Sequence, residues 1–246
     1  MQYIALAIAP GIAIILFILY KDRYNKEPRQ VLAISFILGC LAILPAIGFE
    51  GAFDKTLDGS VGGVAVFSWL VVGFSEEFSK FLGLRLYSYN QKAFDEPLDG
   101  IVYSVIVSMG FATVENIMYV TKYAQAGLGL EVGLRRMFLS VPAHASFGVI
   151  MGYFVGKAKF NSRNSFMLML TGLLGAIFFH GAYDFFVFIN QYSFVGRQAG
   201  NGMLAGGAII SLIIALVLSR KLIRSQQALS RQMFQDKEKD TTVPGA

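Results

Sequence analysis

Three charged side chains interrupt one long apolar stretch: Glu76, Glu77 and Lys80 lie between residues 63 and 84. Each charge at the centre of a membrane helix costs about 2.5 to 3.5 kcal/mol on insertion scales, so the three must face protein or water and neutralise one another. Glu76 and Lys80 are four residues apart and share a helical face, whereas Glu77 is expected to lack such a partner in its own helix. Two adjacent carboxylates in low dielectric form a coupled pair, from which a general acid or base can be made. A buried ion-pair cluster that only fixes helix packing is the structural alternative.

Further polar residues interrupt the next three apolar stretches. They are Glu115 and Asn116 in the fourth stretch, His144 in the fifth, and His180 with Asp184 in the sixth. The chain has only two histidines, and both lie in apolar sequence. Small residues repeat at four-residue spacing alongside both histidines, which predicts that the polar groups face helix interfaces. We therefore expect one water-accessible polar chamber formed by the third to sixth spans, with the other spans as scaffold.

Such a chamber can hydrolyse a peptide bond. A glutamate activates water, and a histidine or asparagine stabilises the oxyanion or protonates the leaving amine. Two histidines with a glutamate (Glu115, His144 and His180) also form an adequate ligand set for zinc, which lowers the pKa of bound water to about 7. The sequence has neither His-Glu-x-x-His nor Gly-x-Ser-x-Gly, the motifs of two other protease designs. Buried carboxylates and histidines also serve proton relays, so a proton- or cation-coupled transporter is the alternative function, and a non-catalytic membrane scaffold is a third.

The elements that position these residues are membrane spans. Of the 246 residues 55% are hydrophobic and 15% charged, and the mean hydropathy is +0.56, all typical of an integral membrane protein. The net charge of +5 therefore reflects topology and not nucleic-acid binding. The sequence predicts an all-α, polytopic bundle of about seven spans, at residues 2–20, 31–49, 63–84, 101–120, 137–156, 166–189 and 203–218.

Lysine and arginine are concentrated in alternate loops and in the C-terminal tail. The positive-inside rule then predicts an N-terminus outside and a cytoplasmic C-terminus, although Arg135 and Arg136 count weakly against it. Residues 1–222 are predicted to form a membrane-embedded protease domain. Residues 223–246 are predicted to form a cytoplasmic tail, a short helical extension followed by disorder.

The polar residues also form a recognisable series of motifs. In order these are Glu76-Glu77-x-x-Lys80, Phe111-x-x-x-Glu115-Asn116, His144-x-x-x-Gly148 and His180-x-x-x-Asp184, preceded by Asp22-Arg23-Tyr24-x-Lys26-Glu27-Pro28 and with Glu96-Pro97-Leu98-Asp99-Gly100 leading into the fourth span. Together they resemble the PrsW family of intramembrane proteases, over roughly residues 22–184. The wider clan includes the CAAX prenyl endopeptidases, from whose Glu-Glu-x-x-x-Arg pattern this chain departs, since Lys80 stands one position earlier.

The resemblance implies a multi-pass protease of the bacterial inner membrane that cuts single-pass membrane proteins, notably anti-sigma factors. Its partners would be that substrate and the lipid bilayer, with no nucleic acid; the oligomeric state is left open. The family has been called both metallo and glutamic, so zinc is a candidate cofactor. By analogy with the prenyl endopeptidases Glu76 would be the water-activating base, with Glu77 a close second. Residues that position water, bind metal or stabilise the oxyanion would be Glu115, His144 and His180, with Asp184 orienting His180, Lys80 neutralising Glu76 and Asn116 in support.

Overall fold

Helices account for all seven predicted spans in a computed structural model of the chain, which describes residues 3–193 and 201–242, with side chains of the last helix described over 206–235. Within these residues there is no strand, and seven helical stretches are long and apolar enough to cross a membrane. The prediction of an all-α, polytopic bundle is therefore confirmed. The α-helices are α1 (Ile4–Lys21), α2 (Arg29–Leu41), α3 (Ile43–Ala52), α4 (Val61–Val66), α5 (Phe74–Leu86), α6 (Pro97–Ala124), α7 (Gly129–Phe138), α8 (Ser140–Lys159), α9 (Ser165–Tyr192) and α10 (Asn201–Thr242).

Several spans are less regular than their hydropathy predicted. The second breaks at Ala42 into α2 and α3, and the short helix α7 precedes α8, from which Leu139 separates it. A π-helix, Phe67–Gly73, joins α4 to α5. The last helix continues from the predicted span to Thr242, so the helical extension is longer than expected. The domain division at residue 222 stays a prediction, and residues 243–246 lie outside the described part of the chain.

The central helix is α6. Its first turn is capped because the carboxylate of Asp99 accepts hydrogen bonds from the backbone N–H groups of Asp95 and Glu96, each at 2.8 Å. Pro97 suits the first helical position, where no intrahelical N–H is needed. Every residue from 97 to 112 is buried, because α1, α2 and α8 pack around this half of the helix. The motif Glu96-Pro97-x-Asp99 is therefore the N-terminal cap of the central helix.

Glycines let α8 approach α6 closely. A Cβ atom at Gly152 would lie 2.3 Å from the carbonyl oxygen of Gly100, and one at Gly156 would lie 2.1 Å from that of Pro97. The small-residue row predicted from the sequence is thus confirmed as a helix contact. Because His144 continues the same row, its side chain is directed to the interior of the bundle, where it is buried.

Candidate active site

A π-helical turn leads directly into the helix that carries the paired glutamates. The segment Phe67–Gly73 is fastened to α9, because Trp69 Nε1 donates a hydrogen bond to the carbonyl oxygen of Phe178 at 3.1 Å. At its end, a Cβ atom on Gly73 would lie 3.3 Å from the backbone nitrogen of Gly181. Turns of this kind are rare and occur often at functional sites. Here the turn holds α5 against the helix that carries the second histidine.

Lys80 is the centre of the buried charges. Its Nζ lies 3.1 Å from Glu76 Oε2, 2.8 Å from Glu77 Oε1 and 3.2 Å from His144 Nδ1. The ammonium also lies 4.1 Å from the centre of the Phe111 ring, which favours a cation. The prediction that Glu77 lacks a partner in its own helix is wrong, because residues three apart also face one another on a helix. One cation therefore serves both glutamates.

His180 lies between carboxylates on two helices. Its Nδ1 is 2.8 Å from Glu77 Oε1, and its Nε2 is 3.3 Å from Asp184 Oδ2 and 3.8 Å from Glu76 Oε2. The ring stacks on Phe147, with 4.9 Å between ring centres. Contacts on both nitrogens and on the ring face fix the orientation of the imidazole. Asp184 thus lies in contact with His180, and its orienting role stays a prediction.

Glu115 connects the other histidine to Arg136, which the sequence marks only as a charge in a loop. Its Oε2 lies 2.8 Å from His144 Nε2 and 2.6 Å from Arg136 Nη2. Arg136 Nε donates to Asn116 Oδ1 at 2.6 Å, and Asn116 Nδ2 donates to the carbonyl oxygen of Ala7 at 3.2 Å. Asn116 is buried and lies outside the residues that line the chamber described next. It joins α1, α6 and α7, one step away from the site.

The predicted polar chamber is present, with a volume of about 940 Å³. Its lining includes five of the predicted catalytic residues, Glu76, Glu115, His144, His180 and Asp184. Glu77 and Lys80 are outside the lining and are buried behind it, with 0% and 1% exposure. The chamber extends past the tyrosines at one end of the bundle, Tyr119, Tyr123 and Tyr192.

The second span contributes to the chamber, although it was expected to be scaffold. Glu50, near the end of α3, lines the chamber and accepts a hydrogen bond from Ser75 Oγ at 3.2 Å. The sequence signal for it was a single acidic residue at the edge of an apolar stretch, beside Gly51. Arg136 also lines the chamber. The only sequence signal for it was a basic residue next to a span, together with the need of Glu115 for a cationic partner.

Four buried residues could hold a metal ion. They are Glu76, Glu77, His144 and His180, whose candidate ligand atoms all lie within 4.8 Å of one another. Carboxylate oxygens and imidazole nitrogens are zinc ligands, and Glu77 Oε2 is buried without a hydrogen-bond partner, so the donors fit a divalent ion. Glu115 was predicted as a ligand but is outside this group. It contacts His144 Nε2, as a carboxylate does that orients a metal-binding histidine without binding the metal itself. The Lys80 ammonium already contacts three of the four side chains and would compete with a second cation.

Comparison with known proteins identifies the family of this chain. Residues 27–219 match the model of a family described as PrsW family intramembrane metalloprotease. The chain belongs to the PrsW family. It is 40% identical over 184 residues to Protease PrsW of Bacillus subtilis (strain 168), which covers 74% of this chain and 81% of that protein. No solved structure matches the chain significantly.

Other PrsW relatives cover similar shares of the chain. Protease PrsW of Geobacillus kaustophilus is 35% identical over 76% of this chain and 80% of its own length, and that of Clostridioides difficile is 37% identical over 75% and 78%. The prediction of an intramembrane peptidase is therefore confirmed over the transporter alternative, as is a multi-pass membrane location. The term metalloprotease comes from the description of the PrsW family as a whole.

Proposed function

We propose that the protein hydrolyses a peptide bond of a single-pass membrane protein, such as an anti-sigma factor, with Glu76 as the base that activates water. The observation that carries this assignment is the different access of the two glutamates. Glu76 lines the chamber, whereas Glu77 is enclosed between Lys80 and His180. A general base must reach the water that it deprotonates, and only the first glutamate opens on the space where water and a peptide would meet.

The remaining residues take roles that follow from their contacts. His144 and His180 border the chamber beside Glu76, where an imidazole can stabilise the oxyanion or give a proton to the leaving amine. Asp184, against His180 Nε2, orients that ring. Lys80 and Glu77 hold the base in place from behind. The low dielectric of the surrounding bundle strengthens each of these electrostatic interactions.

The membrane arrangement supports a single-pass substrate. With the predicted orientation, the tyrosine-lined end of the chamber is at the outer face of the bacterial inner membrane, at a depth that the end of a substrate helix reaches. Peptide bonds at the end of a helix lack some of their intrahelical hydrogen bonds, so they unwind at lower cost than bonds in its middle. We therefore infer cleavage near that end of the substrate span.

If a metal ion takes part, Glu76, Glu77, His144 and His180 are the residues that would hold it. Such an ion, if zinc, would lower the pKa of a water molecule and would polarise a carbonyl group. Metal analysis of purified protein, paired with activity after chelation, distinguishes the two chemistries. Stoichiometric metal that leaves together with activity supports the metal route, and full activity of metal-free protein supports the glutamic one.

The proposal is tested by mapping new N-termini. Purified protein is reconstituted with a membrane-protein extract from the bacterium that encodes it, and new N-termini are identified by mass spectrometry. We expect cuts in single-pass proteins with wild type and with Glu131→Gln, a change at an exposed glutamate of α7, but not with Glu76→Gln. Cuts that persist in Glu76→Gln at the wild-type level would refute the assignment of the base.

A further inference from the structure

Helix α7 carries two adjacent arginines in opposite surroundings. The Arg135 side chain is 73% exposed and pairs with Glu131 on the same helix at 2.5 Å. The Arg136 side chain is only 13% exposed and reaches across to α6. The helix also exposes Leu130, Leu134 and Phe138 at four-residue spacing, which is typical of an amphipathic helix with one face toward lipid. The second arginine therefore extends from the side of α7 that faces the protein.

Arg136 contacts three residues within two turns of α6. Its Nη2 forms an ion pair with Glu115 at 2.6 Å, its Nε donates to Asn116, and its guanidinium lies 4.1 Å from the centre of the Tyr119 ring. The ring face and the amide fix the plane of the guanidinium, and this fixes the position of the cation beside Glu115. Such a multipoint contact is more than charge neutralisation requires.

The same oxygen of Glu115 that faces Arg136 also faces His144 Nε2 at 2.8 Å. The opposite nitrogen of that ring, Nδ1, lies 3.2 Å from Lys80 Nζ and 4.0 Å from Glu76 Oε2. A contact at each nitrogen sets the rotation of an imidazole. Arg136 is thus the outer end of a continuous series of contacts that ends at the proposed base.

We propose that Arg136 is a positioning residue of the peptidase, which holds Glu115 so that Glu115 fixes the ring of His144. It acts without touching the peptide, and it makes α7 a part of the active site although that helix contributes no catalytic group. The inference rests on the proposed function, because that is what places His144 in the reaction. Loss of the arginine leaves a buried carboxylate without its cation, free to turn away from the histidine.

Kinetics provide the first test, on the single-pass protein that wild type cuts most strongly in the N-terminal mapping. Arg136→Gln is expected to lower kcat about 10- to 100-fold, the range found for outer partners of metal-ligating histidines, with KM nearly unchanged. Arg136→Lys keeps the charge but loses the fork, so it restores only part of the rate. The matched control, Arg135→Gln, keeps wild-type kinetics.

A double variant separates positioning from direct contact with substrate. If Arg136 acts only through Glu115, then Glu115→Gln combined with Arg136→Gln is no slower than Glu115→Gln alone. Losses that multiply, or a loss confined to KM, overturn the proposal, because they mean that the arginine contacts the substrate.

Nuclear magnetic resonance tests the geometry without any substrate. Because the chain has only two histidines, selective 15N-histidine labelling gives two ring spectra, which His180→Gln assigns. Arg136→Gln is expected to shift the His144 ring signals much more than those of His180, and Arg135→Gln to shift neither. Unchanged His144 signals in folded Arg136→Gln protein overturn the proposal. This result stands even if no substrate is cut, so failure of the positioning role and failure of the proposed function are distinguishable.

Discussion

Two buried polar clusters lie along α6, and they balance their carboxylates in different ways. The site cluster, made of Glu76, Glu77, Lys80, His144 and His180, has a cation in direct contact with both glutamates. The loop cluster, made of Asp22, Glu27, Asp99 and Tyr103, lies at the start of α6 and holds the loop after α1. Among the described residues, no ion pair includes any carboxylate of the loop cluster, and Glu27 instead accepts a hydrogen bond from the Tyr103 hydroxyl.

Burial shifts the titration of two carboxyl groups in the loop cluster toward neutral pH. Burial raises the pKa of Asp22 to about 6 and that of Glu27 to about 7, while Asp99 faces Glu27. A carboxylate that is balanced by a fixed cation remains available for chemistry, whereas one balanced by a proton changes its contacts with pH. The difference fits the catalytic role proposed for the site cluster and a structural role for the loop cluster.

The largest expected difference between the two clusters is in the rate of peptide cleavage. Glu76→Gln is expected to lower the rate of peptide cleavage by about 10²- to 10⁴-fold, the usual contribution of a general base. Glu27→Gln, an equally buried glutamate in the other cluster, is expected to retain most of the rate, because it contacts no residue of the site. Both rates are measured on reconstituted protein with the same single-pass substrate. Equal losses in the two variants would remove the functional distinction between the clusters.

Stability separates the clusters in a second way. Lys80→Met leaves two buried carboxylates without their cation and is expected to cost about 3 to 5 kcal/mol, measured by unfolding in detergent. Lys157→Met, at an exposed lysine of α8, serves as the matched control. Adding Glu77→Gln to Lys80→Met is expected to recover part of the loss, because one of the unpaired charges disappears. No recovery in the double variant would mean that Lys80 stabilises the bundle by packing alone.

In the loop cluster, a single hydrogen bond is expected to make a smaller contribution to the free energy of unfolding. Tyr103→Phe removes the hydroxyl that Glu27 accepts from, and we expect a loss of about 1 to 3 kcal/mol in the free energy of unfolding. Faster proteolysis within residues 22–28 should accompany the loss, since the loop is held by this contact. A variant as stable and as resistant as wild type would argue that other contacts hold the loop.

The smallest expected effect is a pH dependence that belongs to the loop cluster. Since burial raises the pKa of Asp22 and Glu27 above their ordinary values, their stabilising effect is complete below about pH 4 and is lost as pH rises through about 6 to 7. Glu27→Gln removes one of the two groups, so the melting temperature should fall less between pH 5 and pH 8 than in wild type. Parallel melting curves for the two proteins would contradict the assignment. Lys26, Asp95, Asp99 and Tyr103 also face this pair and are unchanged in the comparison.

The sequence was enough to predict that the polar residues of four spans meet in one chamber. A charged side chain inside a span is stable only where other polar groups surround it. Partners on other helices were therefore expected for Glu76, Glu115 and His180. Spacing of small residues also predicted a close helix contact for α8, and the structure shows that its partner is α6.

Other features depended on three-dimensional contacts that periodicity does not encode. Arg135 and Arg136 are the same residue type at adjacent positions, and only the rotation of α7 decides which one is buried. Glu50 lies at a span end, where an acidic residue is unremarkable, and only the packing of α3 beside the chamber gives it a place in the lining. The π turn has the same hydropathy as an α-helix, so no pattern predicted it.

That π turn, Phe67–Gly73, has a consequence for how the site can change over time. A π turn is equivalent to an α-helix with one inserted residue, and each residue rotates an α-helix by about 100°. Because the wide turn absorbs the extra residue, deleting one residue there would restore an α-helix and leave Glu76, Glu77 and Lys80 facing the histidines, whereas a deletion in regular α-helix would turn all three by about 100°. The π turn is therefore a place where this span can change in length by one residue while the charged triplet keeps its contacts across the bundle.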